Sequence, residues 1–425
     1  MQPLYEGASS VTLESGLRVL VEEAPSSSTV SAGVWIGGGS RSDPEDQPGL
    51  AHAIEHLLFK GSSARTATEI ACEIEAVGGH INAATGREST LVYAEAPAAS
   101  LGILLDVLAD VVQHPAFAAA ELERERGVLL EEIRNHDDDP EQCAHDLFAE
   151  GLWDPPHPLG RSVLGSLSTV RHLSRDRVAE HHLRQYVPAN MLVVVCGAVS
   201  MEEILRTANR CFDGGAGSVP PSRTCTPPSM HVGKLVYRLK SAQSHIYLAL
   251  PGPPACDADR FALEVLNGIL GDGLSSRLFQ RIREERGLAY VVSSAVSRYR
   301  DTGVWTFYAG VAPRNVHQVE HLIVEELRSV LRDGVGEDEI HRAKSRLCGH
   351  LLLSLESNGS RMVRLGNAAL AGCEILSPEQ VIEQFDHIDA QSLERAIARF
   401  VRPEAAHLAR IGSMSHRIAG RRTDR

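Results

Sequence analysis

Apolar and polar positions alternate along this chain with two periods, and the changes of period divide it into elements. Val11 to Glu14 and Leu17 to Glu22 read as extended segments around a Ser15-Gly16 turn, and Thr29 to Ile36 runs apolar into Gly37-Gly38-Gly39. From Gly49 to Phe59 the period lengthens: Leu50, Ile54 and Leu57 form one stripe of a helix, while His52 and His56 project from the other side. Ala67 to Val77 is helical again until Gly78-Gly79 breaks it, and His80 to Ala96 reads as two strands around Ala84-Thr85-Gly86. The stretch Asn82-Ala83-Ala84 is polar and poor in large apolar residues. That suits a sheet edge, either a plain one or one whose free backbone groups pair with an extended peptide. Ala119 to Asn135 forms a long helix with Leu122, Leu129 and Ile133 on its inward stripe. Glu125 and Glu132 flank that stripe together, whereas Glu131 lies on the far side.

Past Cys211 the composition changes to glycine and serine, then to proline, as in Gly214-Gly215 and Pro220-Pro221, which is the composition of a linker. The expected division is therefore a first domain over 1–213, a linker over 214–230 and a second domain over 231–425. The second half repeats the pattern of the first. Leu235 to Leu239 and Ile246 to Leu250 read as strands, Asp257 to Leu270 as a helix, and Tyr308-Ala309-Gly310-Val311-Ala312-Pro313 echoes Tyr93-Ala94-Glu95-Ala96-Pro97. Internal duplication gives an α+β fold of two homologous domains, each a mostly antiparallel sheet packed with helices.

A length of 425 residues suffices for two cores, and the net charge of −13 excludes a general nucleic-acid binder. The arginines between Arg417 and Arg425 form a basic tail that is assigned no function. The first twenty residues lack a basic-then-apolar leader pattern, no apolar run is long enough to span a membrane, and the eight cysteines show no Cys-x-x-Cys pair. Together these predict a cytoplasmic protein with structural thiols and no membrane partner.

The polar face of the Gly49–Phe59 helix carries His52-Ala53-Ile54-Glu55-His56. Two imidazoles four apart share one side of a helix and can hold one zinc ion through neutral ring nitrogens, with the carboxylate between them close enough to take a proton from water. A third ligand is needed, and the wheel position of Glu132 makes it a better choice than Glu131. Glu125, two turns before Glu132, is either a solvated charge or a carboxylate that orients a histidine. The second copy reads Phe261-Ala262-Leu263-Glu264-Val265-Leu266-Asn267 at the corresponding helix, so one zinc per chain is expected.

These motifs resemble the pitrilysin/insulinase clan, specifically its mitochondrial-processing-peptidase-like branch. The resemblance rests on Gly39-Ser40-Arg41, the run 49–61, Gly78-Gly79-His80-Ile81-Asn82-Ala83, Glu125 to Ile133, His157-Pro158-Leu159-Gly160-Arg161 and Tyr186-Val187-Pro188-Ala189-Asn190-Met191, and spans nearly the whole chain. It implies a zinc metalloendopeptidase in which His52, His56 and Glu132 bind the metal, Glu55 is the general base and Glu125 supports the site. It also implies that Arg283 and Tyr290 contact the substrate carbonyl region and its developing oxyanion. Asn82 and Ala83 would then bind an extended peptide. Two alternatives stay open: maturation of one specific precursor, and a non-catalytic peptide-binding scaffold. A two-domain member of such a clan is expected to form a homodimer whose active site is shared between subunits. Asp43 stands where relatives often carry a glutamate.

Overall fold

The computed structural model describes residues 2–212 and 227–413. The glycine- and proline-rich part of the expected linker, 214–226, and the basic tail lie outside the described residues. Contacts divide the chain into two compact units.

The first unit is built on seven strands: β1 (Gln2–Tyr5), β2 (Ala8–Thr12), β3 (Arg18–Glu23), β4 (Thr29–Gly37), β5 (His80–Thr85), β6 (Ser89–Pro97) and β7 (Met191–Gly197). They lie in the order β1-β2-β3-β7-β4-β6-β5, with β3 and β7 parallel and all other neighbours antiparallel. β4 and β7 are apolar along almost their whole length because both faces of the sheet are covered. On one face Val19, Val34 and Val193 pack with Leu50, Ile54 and Leu57 of the helix Leu50–Leu58 and with Leu104 and Leu108 of the helix Leu101–Gln113. On the other, Leu20, Trp35 and Val194 meet Met362, Leu365 and Ala369 of the helix Asn358–Ala371. A Cβ on Gly366 would come within 2.3 Å of the Trp35 ring, so glycine is what lets this helix approach the sheet. β5 is the edge strand, and its alternation of exposed and half-buried residues matches the expectation for Asn82-Ala83.

The second unit repeats this plan with β8 (Gly233–Arg238), β9 (Ser244–Gly252), β10 (Ala289–Arg298), β11 (Gly303–Val311) and β12 (His407–Gly412). Their order, β10-β11-β9-β12-β8, is that of β5-β6-β4-β7-β3, and the parallel pair recurs between β8 and β12. The duplication read from the strand patterns is therefore present in the topology. One face packs against the helices Arg260–Leu270 and Val316–Asp333, and Tyr247 and Ala249 on the other face meet Ala144 and Phe148 of the helix Pro140–Gly151.

The units are not the contiguous halves expected from the linker composition. Residues 136–160 belong to the second unit and 354–377 to the first. In each copy the chain changes unit within the last turn of a long helix, Ala119–Asp138 or Glu337–Ser354, where no glycine or proline punctuates the sequence. The helix then contributed to the other sheet is amphipathic like any other, so periodicity does not say which sheet it covers. Cys72, Cys143, Cys196, Cys211 and Cys348 are free thiols as expected, but Cys256 and Cys373 are disulfide-bonded. Among the described residues no helix is long and apolar enough to cross a membrane.

Candidate metal centre

The histidine helix starts at Gly49, whose φ of 91° and whose close approach to the Leu164 carbonyl oxygen exclude a side chain. No side chain at the N-cap itself takes up the first free N–H groups. Asp43 does so from a distance in sequence: its carboxylate accepts from the Gly49, Leu50 and Ala51 N–H groups at 2.8, 3.2 and 2.9 Å. Burial pushes this carboxyl up to about 7, against those three bonds and the nearby Arg161 charge, which pull it down. Asp43 thus fixes the start of the helix that carries the two histidines, a role no local motif discloses.

One turn into the helix, His52 and His56 present their rings side by side, with centroids 4.7 Å apart. The facing helix, Ala119–Asp138, is anchored by buried Leu122, Leu129 and Ile133, and brings Glu132 to both imidazoles. Its carboxylate oxygens lie 3.8 Å from His52 Nε2 and 3.5 Å from His56 Nε2. The three donor atoms fall within 4.8 Å of one another, the one such group found among the described residues. Ligand atoms around a tetrahedral zinc with bonds of about 2.0–2.1 Å are roughly 3.3 Å apart, so the three residues fit that ion with little adjustment. Burial, with the neighbouring His56 second, pushes His52 down to about 4, which keeps its ring neutral and able to donate a lone pair. Glu131 points away and pairs with Arg134, its side chain 63% exposed.

Glu125 sits behind His56. One of its oxygens lies 3.3 Å from His56 Nδ1 and the other 2.8 Å from Lys60 Nζ. The Nδ1 contact orients His56 so that Nε2 faces Glu132, and Lys60 offsets the charge of a carboxylate that is only 6% exposed. His52 Nδ1, by contrast, is buried with no hydrogen-bond partner. Lys60 was not singled out by the sequence; its place one turn after His56 was the available signal.

Glu55 lies on the same helix, one residue before His56. Burial raises its carboxyl above the ordinary range, opposed first by a hydrogen bond from the Thr85 side chain and then by the His56 charge; the Thr85 backbone also donates. Glu55 Oε2 is buried and has no hydrogen-bond partner. On the same strand, Asn82 Oδ1 accepts the Ala83 N–H at 2.8 Å, and Asn82 is exposed on the edge. Arg283 and Tyr290 lie in the second unit and meet each other there. The Arg283 guanidinium stacks 4.8 Å from the Phe279 ring and 5.3 Å from the Tyr290 ring, and Tyr290 is 73% exposed. The segment before Gly287 is a π-helical turn, Phe279–Glu284, closed by the Glu285 N–H to the Gln280 carbonyl.

In the second copy the helix Arg260–Leu270 carries a buried polar cluster at Asn267. Asn267 Oδ1 accepts from Ser294 Oγ at 2.6 Å and from Trp305 Nε1 at 2.9 Å, and all three residues are buried.

Two family models match this chain. Residues 18–166 match the model of the insulinase family, peptidase family M16, and residues 172–347 match that of the peptidase M16 inactive domain. An uncharacterized zinc protease of Mycobacterium leprae is 39% identical over 91% of this chain and 88% of its own length. The chain belongs to peptidase family M16. A second relative, an uncharacterized zinc protease of Bacillus subtilis, is 34% identical over 90% of the chain and 92% of its own length. A protease from Helicobacter pylori has the same fold, with a TM-score of 0.89 at 22% identity, covering 96% of this chain and 99% of that one. A peptidase M16 inactive domain from Pseudomonas fluorescens superposes with a TM-score of 0.89 at 19% identity, covering 98% and 100%. Among the described residues the second copy holds no group of side chains that could bind a metal.

Proposed function

We propose that this M16 chain is a zinc-dependent endopeptidase that hydrolyses extended peptides, with Glu55 as its general base. The observation that carries the reading is the convergence of His52, His56 and Glu132 on one point, with a partner-free Glu55 oxygen on the same helix. Zinc held by the three residues supplies a Lewis acid toward water and the scissile carbonyl. Glu55 takes the proton of the attacking water at Oε2 and returns it to the leaving amine, a task suited to a carboxyl raised by burial. Glu125 keeps His56 in the tautomer that turns Nε2 inward. The β5 edge offers backbone groups to an extended peptide, with Asn82 and Ala83 at its middle. A non-catalytic scaffold has no use for three metal-binding side chains and a base set together in this way.

The test combines metal analysis with cleavage mapping on an unbiased peptide library. One zinc per chain and cleavage that stops on chelation and returns with zinc are expected. A protein that binds zinc stoichiometrically and cleaves no member of the library overturns the peptidase assignment.

Arg283 and Tyr290 are assigned to the substrate carbonyl, where a guanidinium and a phenol stabilise developing negative charge. We infer a homodimer in which the metal-binding unit of one chain works with the Arg283/Tyr290 unit of the other. Mixing inactive Glu55→Gln chains with inactive Arg283→Ala/Tyr290→Phe chains is then expected to restore activity toward a quarter to a half of wild type, as one site in each mixed dimer is intact. No recovery, under conditions where subunit exchange is demonstrated independently, refutes the shared site.

A further inference from the structure

The segment that follows the histidine helix is sewn to the segment that precedes the glutamate helix, Ala119–Asp138. Lys60 N–H donates to the Leu57 carbonyl at 3.2 Å, and Gly61, at a φ of 112°, turns the chain away from the helix. The Gly61 carbonyl then accepts the Ala116 N–H at 3.0 Å, Ser62 forms a bridge with Pro115, and Ser63 N–H donates to the His114 carbonyl at 2.9 Å. Ser62 Oγ adds a bond to the Asp110 carboxylate at 2.5 Å. The backbone at Lys60 is thereby fixed relative to both helices that carry the candidate ligands. Its ammonium lies 2.8 Å from Glu125 Oε1, while Glu125 Oε2 lies 3.3 Å from His56 Nδ1. The lysine contact is the shorter of the two, and it reaches a carboxylate side chain that is only 7% exposed.

We propose that Lys60 is a positioning residue that holds Glu125 by Oε1, so that Oε2 accepts from His56 Nδ1–H and Nε2 is left for the metal ion. This rests on His56 being a ligand. An ammonium donates and cannot accept, so Lys60 pairs with the carboxylate and has nothing to offer the His56 N–H. The two oxygens of Glu125 serve the two neighbours at once. The acceptor that fixes the His56 tautomer is in this way anchored by a charge placed just past the end of the histidine's own helix. Without the ammonium, Glu125 keeps the longer contact alone, and its buried charge loses the partner that offsets it.

Lys60→Met keeps the apolar stem and removes the charge, whereas Lys60→Arg keeps the charge and its donors. Zinc affinity of the full-length protein is read by competition with a chelator of known affinity. It is expected to fall about tenfold for Lys60→Met, the lower end of the roughly 10–100-fold that loss of a ligand's supporting partner costs, and to stay within about threefold of wild type for Lys60→Arg. Lys60→Gln, which donates without a charge, falls between. Adding Lys60→Met to Glu125→Gln is expected to weaken zinc by less than about twofold more, because the lysine acts through that carboxylate. A lysine with a merely structural role shifts the urea midpoint of the metal-free protein and leaves zinc affinity alone. Unchanged or tighter zinc binding by Lys60→Met, or a full tenfold further loss in the Glu125→Gln background, overturns the proposal. A wild type that binds zinc and cleaves no peptide defeats the peptidase reading alone, and the affinities still decide the role of Lys60.

Discussion

Glu55→Gln is expected to lower kcat by roughly 10³-fold or more while leaving about one zinc per chain, since loss of a general base costs about 10²–10⁴-fold and removes no ligand. The amide has nearly the size of the carboxyl, so the fold around β5 has no reason to change. What it lacks is a basic oxygen at Oε2, the atom with no other partner. Metal content by mass spectrometry and single-turnover cleavage of one mapped peptide check the two halves of the claim separately. Loss of zinc on this substitution would make Glu55 a ligand, and full activity would move the base elsewhere.

The histidine helix, the glutamate helix and the edge strand were legible because each depends on a period within one short segment. Leu50, Ile54 and Leu57 bury one side of the histidine helix, and the spacing of His52 and His56 does the rest. The choice of Glu132 over Glu131 came from the same wheel, through Leu122, Leu129 and Ile133. What stayed hidden depends on residues far apart in the chain. Asp43 caps a helix that begins six residues later, and Lys60 reaches Glu125 on another helix. Neither interaction follows a local repeat, and a lysine after a helix reads the same whether or not it touches a buried carboxylate. The exchange of residues 136–160 and 354–377 was hidden for a related reason. An amphipathic helix announces that it covers an apolar surface and leaves open which one.

Zinc affinity should separate neighbouring glutamates that composition treats alike. Glu132→Gln removes a charged donor 3.8 and 3.5 Å from the two imidazoles, so its cost should exceed the roughly 10–100-fold typical of losing an outer-shell partner. Glu125→Gln should fall within that outer range, because it weakens the hold on His56 Nδ1 and leaves Lys60 without its carboxylate partner while sparing every direct donor. Glu131→Gln should change affinity by less than about twofold. Its carboxylate is bound to Arg134 in solvent, where an ion pair contributes little and is not coupled to the site. Competition with a chelator of known affinity, run on all three variants at one pH, measures the order directly. The expected ranking of loss is Glu132, then Glu125, then Glu131. If Glu131→Gln weakens zinc as much as Glu132→Gln, the helix presents a different face to the histidines. If Glu125→Gln costs more than Glu132→Gln, Glu125 is the metal ligand and Glu132 the residue that supports it.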